Sequence, residues 1–488
     1  MPADLMPPLA DLYRILPEIV LTVAGTLVMV LEPLLRDGRK KVLGYIALAG
    51  LLAALWATAA AHAQAGLAFR GMIVVDGFAT FFRALVLVVG LLTVLCSLQY
   101  IQRERPESGE YYALLLYSLA GQCLMAASNE FIMIFIGLEI SSIASYVLAG
   151  YLRTDRRNAE AAIKYFLLGS FATAFLLYGI AWIFGVTGTT GLGGVREALL
   201  NRADAPPAVL VGLSVALVFV GFAFKVSAAP FQAWAPDVYQ GAPAPVAAFL
   251  SAGPKAAAFA VLLRVFLTAF EPVGEVWEPI VWAAALGAMV IGNFAALVQQ
   301  NIKRLLAYSS IAHAGYLLVA VTARTEVGAA AAMFYLAAYA FMNIGAFAVV
   351  TYFARRQERY VEVNDLAGLS RKRPAVAALF AIFLLSLIGV PLTGGFFAKF
   401  YVFKAALDSG LIWLTVLGLL NSAAAAYYYL RILVVMYFHE PGDAAESVGP
   451  VSGGLRIALY ASAAATLVLG IFPSVILDFA GSAAALVK

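Results

Sequence analysis

Long apolar segments follow one another along almost the whole chain, and few folds can accommodate them. They lie near 12–33, 41–61, 74–100, 110–127, 130–152, 162–184, 208–240, 243–268, 278–298, 303–322, 327–354, 375–407, 412–438 and 453–477. A helix that crosses a bilayer needs about 20 mostly apolar residues. Runs that are apolar on every face must be helical in lipid, because an open sheet edge would leave backbone groups without partners. The short alternating segments of a membrane barrel are absent from the sequence. The expected fold is therefore all-α, a polytopic membrane protein with about 14 transmembrane helices. A single membrane domain, 1–488, is expected, with no separate soluble domain.

Composition agrees. Hydrophobic residues make up 63% of the chain and charged residues 12%, against roughly 25% charged in a soluble domain. A water-soluble protein of this length could not cover its surface with so few charges. The net charge of +4 is small and spread out, so no nucleic-acid patch is suggested. Cys96 and Cys123 fall inside apolar stretches and are expected to be small packing residues. The histidines at 62, 313 and 439 are scattered, which argues against a metal site. The Gly-rich run 185–194 lacks a P-loop lysine. No nicotinamide, flavin, haem or iron–sulfur motif occurs, so any driving reaction must come from a partner or an ion gradient. No basic residue precedes Arg14, so the first apolar segment is expected to be retained rather than cleaved.

Loop charges give an orientation. With the N-terminus outside, the cytoplasmic loops hold Arg36, Arg39, Lys40, Lys41, Arg103, Arg105, Arg153, Arg156, Arg157, Lys303, Arg304, Arg355, Arg356, Arg359, Arg371, Lys372 and Arg373. The other side keeps Arg14, Arg70, Arg196, Arg202, Arg324 and Lys488. Seventeen against six is a positive-inside bias. Both termini are then expected on the periplasmic side of a bacterial inner membrane.

Several ionisable residues lie near mid-span, where a charge costs roughly 2.5–3.5 kcal/mol. Glu139 shares a helix face with Ser142 and Tyr146. It could also be a structural carboxylate that joins helices. Lys225 lies inside 208–240, a segment that would be about 50 Å long as a helix, against roughly 30 Å of hydrocarbon. Pro230 and Pro236 interrupt its ladder, so a break is expected near Ser227–Pro230 with Lys225 beside it. Snorkelling to an interface is the alternative, although Lys225 is deep for that. Lys255 lies midway along its segment. His313 shares a face with Ser309, Ser310 and Tyr316, which suits a relay as well as simple packing. Lys399 lies in a second overlong segment, 375–407, interrupted at Pro391. Arg264 is expected to snorkel near a helix end, and Arg431 has no evident role.

Two overlong, interrupted segments five helices apart suggest an inverted repeat, since an odd spacing reverses the second copy. Burial favours a neutral amine and a nearby carboxylate favours a charged one. A row of Glu139, Lys225, Lys255, His313 and Lys399, joined by hydroxyls and water, would therefore be a proton path near the midplane.

The stretch Phe224-Lys-Val-Ser-Ala-Ala-Pro-Phe-Gln-Ala-Trp-Ala-Pro-Asp-Val-Tyr-Gln-Gly-Ala-Pro-Ala-Pro245 resembles the signature of the subunit N family of proton-pumping NADH:quinone oxidoreductase, respiratory complex I. Asn129-Glu-Phe, Gly137-Leu-Glu139-Ile, the run from Asn301 to Tyr316 and Gly394-Gly-Phe-Phe-Ala-Lys-Phe400 support the likeness, which covers nearly the whole chain. The resemblance implies an antiporter-like subunit of the membrane arm. It implies two inverted five-helix repeats, 110–268 and 278–438. Glu139 matches the carboxylate that pairs with the broken-helix lysine, Lys225 that lysine, and Lys255 the connecting lysine. His313 matches a histidine of the polar axis and Lys399 the lysine of the second broken helix. The resemblance implies no cofactor in this chain, with flavin, iron–sulfur clusters and quinone in partner subunits. Its neighbours would be relatives of subunits K and M, and lipids. Two other functions fit the residues less fully: a cation/proton antiporter subunit that works without NADH oxidation, and a membrane scaffold with no ion path. Co-purified redox cofactors would argue against the first. Loss of function on neutral substitution of the buried charges would argue against the second.

Overall fold

A computed structural model describes residues 7–36, 39–104, 109–201, 207–354, 358, 360–447 and 449–484. Of the loop charges used for orientation, Arg105, Arg202, Arg355, Arg356, Arg359 and Lys488 lie outside the described residues. In chain order the first helices are α1 (Leu9–Arg14), α2 (Leu16–Leu31), α3 (Lys41–His62), α4 (Gly77–Glu104), α5 (Gly109–Ala127), α6 (Phe131–Ala149) and α7 (Arg156–Thr187). Then come α8 (Leu192–Leu200), α9 (Ala208–Val226), α10 (Trp234–Gly241), α11 (Ala244–Arg264), α12 (Gly274–Leu297), α13 (Ile302–Thr322) and α14 (Glu326–Phe353). The last are α15 (Leu369–Lys372), α16 (Pro374–Ile388), α17 (Gly394–Asp408), α18 (Ile412–Phe438), α19 (Asp443–Ser447), α20 (Gly453–Ile471) and α21 (Ser474–Ala484). A small antiparallel hairpin, β1 (Gly66–Ala68) with β2 (Ile73–Val75), joins α3 to α4.

Among the described residues, twelve helices are long and apolar enough to cross a bilayer. The other two expected segments are helical but fall short of that length or hydropathy. The segment 110–127 is α5, whose Glu110 and Gln122 lower its hydropathy. The segment 375–407 is divided between α16 and α17. The chain is thus an all-α, multi-pass membrane protein.

Burial separates a centre from a rim. Helices α11, α13 and α14 are almost wholly buried, whereas in α2, α7 and α18 most residues are exposed or half-buried. A helix buried on all sides and yet carrying charge, as α11 and α13 are, has its polar groups turned toward protein. Local signals start these helices. Asp155 accepts from the Arg157 N–H ahead of α7, Asn301 from the Arg304 N–H ahead of α13, and Thr325 from the Gly328 N–H ahead of α14. Each satisfies a donor that the first turn leaves free.

Both overlong segments are broken. Helix α9 ends at Val226, Ser227 adopts a left-handed conformation (φ 60°), and α10 begins at Trp234. Helix α16 ends at Ile388, Gly389 is left-handed (φ 97°), and α17 begins at Gly394. A further motif occurs twice. Glu130, just before α6, bridges to Gly191, and Asn301, just before α13, bridges to Glu362. The partners are equally far apart along the chain in the two cases.

Candidate functional site

Lys225 occupies the last turn of α9 and is 8% exposed. Its side chain reaches α6. There the amine donates to Ser142 Oγ (2.6 Å) and Tyr146 OH (3.1 Å). The rings of Tyr146 and Tyr165 lie 5.0 and 5.6 Å from Nζ and offer their π faces to a cation. The expected face of Glu139, Ser142 and Tyr146 is therefore the one that meets Lys225. Glu139 itself forms no ion pair with the lysine, and its buried Oε1 has no hydrogen-bond partner. The carboxylate stands one helical turn before the hydroxyl that holds the amine.

The second group gathers on α13. Lys255, on α11 and 1% exposed, donates to the Ser310 carbonyl (2.8 Å) and also to the Ser310 hydroxyl. His313, 2% exposed, is held at both nitrogens. Its Nδ1 lies 2.6 Å from Tyr335 OH and its Nε2 3.4 Å from Tyr429 OH. The Tyr429 hydroxyl also bonds Ser309. One turn further on, the ring of Tyr316 lies 5.1 Å from Lys399 Nζ. Lys399 in turn donates to the carbonyls of Leu387 (3.1 Å) and Ile388 (2.7 Å) and to Ser422 Oγ (2.8 Å).

The structure thus brings Lys255, His313 and Lys399 together along one helix, and places Lys225 and Glu139 with α6. A buried cluster from α5 and α6 reaches between the two groups. Ser118 bonds Ser141 and Ser145, and Gln122 Nε2 donates to Ser118 (3.1 Å). Gln122 Oε1 has no partner and faces Gly253, where a Cβ would come within 2.8 Å of it. Neither Gln122 nor these serines stand out in the sequence. Their spacing on α5 and α6 was visible, but their meeting was not.

Other buried charges depart from expectation. Arg264 does not snorkel. It is 5% exposed and holds both carboxylate oxygens of Asp76 (2.9 and 3.0 Å). A buried bidentate pair of this kind replaces the hydration that snorkelling would have kept. Arg83, not singled out by sequence although it lies within an apolar segment, is fully buried and donates to Glu18 Oε1 (2.6 and 2.9 Å). Lys303 is not an open loop charge, because it is buried against Glu358 and the Ala242 carbonyl. Arg431 donates to the carbonyls of Leu297 and Gln299 and so caps the C-terminal end of α12. Asp237 on α10 links Lys164 of α7 (2.6 Å) to Arg304 of α13 (2.5 Å).

Residues 128–424 match the model of the family described as NADH:quinone oxidoreductase/Mrp antiporter, TM. NADH-quinone oxidoreductase subunit N 1 of Solibacter usitatus is 63% identical over 478 residues, 98% of each chain. Subunit N of Trichlorobacter lovleyi is 45% identical over 477 residues, again 98% of each. A chain of respiratory complex I from Thermus thermophilus, solved with bound Aureothin, superposes with a TM-score of 0.82 at 35% identity, covering 95% of this chain and 99% of that one. A chain of the Mrp complex from Dietzia shares the fold at a TM-score of 0.84 and 23% identity, over 98% and 97% of the two chains. The chain belongs to the subunit N family of NADH-quinone oxidoreductase, the antiporter-like membrane subunits of complex I.

Proposed function

We propose that this chain conducts protons along a midplane path made of Glu139, Lys225, Lys255, His313 and Lys399. The path is driven by NADH oxidation and quinone reduction in partner subunits that hold the flavin, iron–sulfur clusters and quinone. One observation carries the reading: each of the three lysines rests on a serine hydroxyl, Lys225 on Ser142, Lys255 on Ser310 and Lys399 on Ser422. A hydroxyl accepts from an ammonium and can turn to donate to a neutral amine, which for Ser142 means leaving the Leu138 carbonyl that it now serves. Such a partner therefore fits a lysine before and after it gives up its proton, whereas a fixed carboxylate would hold it charged. His313, bonded at both nitrogens, can take a proton on one and release it from the other. Glu139, unpaired one turn from Ser142, is placed to bias Lys225 when the side chains move.

The two bridged starts, at Glu130 and Asn301, and the two broken helices support inverted repeats over 110–268 and 278–438. The positive-inside bias supports a bacterial inner membrane with both termini periplasmic. Relatives of subunits K and M, and lipid, are the neighbours proposed for the exposed apolar faces.

The test is to purify the tagged chain in mild detergent, record an optical spectrum and assay NADH:quinone activity. The assembly is then reconstituted in vesicles to follow proton uptake. Flavin and iron–sulfur absorbance with NADH-driven uptake is the expected result. A chain that purifies with cofactor-free membrane proteins alone and exchanges cations for protons would contradict it.

A further inference from the structure

Two tyrosines stand between the His313 group and the Lys399 group. Tyr316 lies under the Lys399 amine. The ring of Tyr428 lies 4.3 Å from that of Tyr429, whose hydroxyl serves Ser309 and His313. Joining the two is Asn293 of α12, fully buried. Its Nδ2 donates to Tyr316 OH (3.1 Å), and its Oδ1 accepts from Tyr428 OH (3.1 Å).

A carboxamide is a donor at one end and an acceptor at the other, and a phenol has a single hydrogen to give. Tyr316 receives the Asn293 hydrogen, so its own hydrogen remains free for another acceptor. Tyr428 gives its hydrogen to Asn293, so it offers other neighbours lone pairs alone. The amide therefore gives the two phenols opposite polarity where the two groups meet.

We propose that Asn293 is a positioning residue for proton transfer, orienting Tyr316 and Tyr428 so that hydrogen bonds between the His313 and Lys399 groups run in one direction. It carries no proton itself. The inference rests on the proton path proposed above, and adds a residue that acts only through others. A plain structural clasp between α12, α13 and α18 would make the same two bonds, so the test must separate the two roles.

The experiment measures protons taken up per NADH oxidised by the reconstituted assembly, and its thermal unfolding midpoint, for Asn293→Leu, for Tyr316→Phe with Tyr428→Phe, and for the triple variant. A clasp alone would lower the midpoint and leave the protons per NADH unchanged, whereas the positioning role lowers the protons per NADH. Asn293→Leu should lower the protons per NADH roughly fivefold, the scale of one lost oriented hydrogen bond. The triple variant should be no worse than the double, because no phenols remain to orient. If Asn293→Leu keeps the wild-type protons per NADH, or if its loss adds in full to that of the double variant, the inference is overturned. Should Asn293→Leu fail to assemble, Asn293→Ser, which is smaller and cannot span both phenols, carries the same expectation. Lys399→Ala is the reference. If it too leaves uptake unchanged, the path is wrong. If it lowers uptake and Asn293→Leu does not, the role of Asn293 alone falls.

Discussion

The two broken helices start from the same problem and solve it differently. Each must interrupt its ladder within the membrane, which frees carbonyls that need donors. At the first break Lys225 precedes the interruption. Phe224 O accepts from the Ser227 N–H (3.0 Å) and from the Trp234 indole (2.9 Å), so the break is closed without the lysine. The Lys225 amine is left for Ser142 and Tyr146 on another helix. At the second break Lys399 follows the interruption, on α17, and its amine itself takes the carbonyls of Leu387 and Ile388. It sits at the C-terminal end of α16, where the helix dipole favours a cation. What differs is which donor reaches the freed carbonyls. That decides whether a lysine faces its relay partners alone or is also tied to the backbone.

The second break is closely packed. A Cβ on Gly395 would lie 1.8 Å from the Ser386 carbonyl oxygen, so Gly395→Ala must push α17 off α16. Overpacking of this kind should destabilise by about 3 kcal/mol, read as a lower midpoint in thermal unfolding of the purified assembly. An unchanged midpoint would show that the junction is looser than described.

The hydroxyl partners sharpen the comparison. Ser142→Ala removes one of two acceptors of Lys225, whereas Ser422→Ala leaves Lys399 its two carbonyls. A bond to a charged group contributes about 2 kcal/mol, so Ser142→Ala should slow proton uptake markedly and Ser422→Ala much less. Equal effects would mean that the carbonyls do not compensate.

The smallest effect has the opposite sign. Ser227 holds a left-handed φ of 60° that favours glycine, and its buried Oγ has no partner. Ser227→Gly should stabilise the first break by up to about 1 kcal/mol, seen as a higher unfolding midpoint. Gly389→Ser should lower the midpoint instead, because its Cβ would meet Lys399 Cδ at 3.2 Å and φ is 97° there.

The fold was legible because lipid permits so little. Overlong apolar segments with internal prolines were expected to break, and the breaks fall at 227–233 and 389–393, around Pro230 and Pro391. The buried lysines and His313 were legible because charge is conspicuous in an apolar run. Their partners were less so. Asp76 lies 188 residues from Arg264, and that separation hid the pair and made snorkelling seem the natural choice. Tyr335 and Tyr429 sit among many other aromatics, and nothing local marks them as the residues that hold His313. The face of Glu139 was legible from helical spacing, but its unpaired state depends on how α9 meets α6. Arg431 became intelligible once the end of α12 was seen to lie against it.

The most direct measurement is NADH-driven proton uptake by vesicles carrying the Lys225→Ala assembly, with co-purification of the partner subunits as the check on folding. The account predicts that uptake is abolished or strongly reduced, because Ser142 and Tyr146 then have no amine to exchange a proton with. Uptake at the wild-type rate by an intact assembly would contradict it.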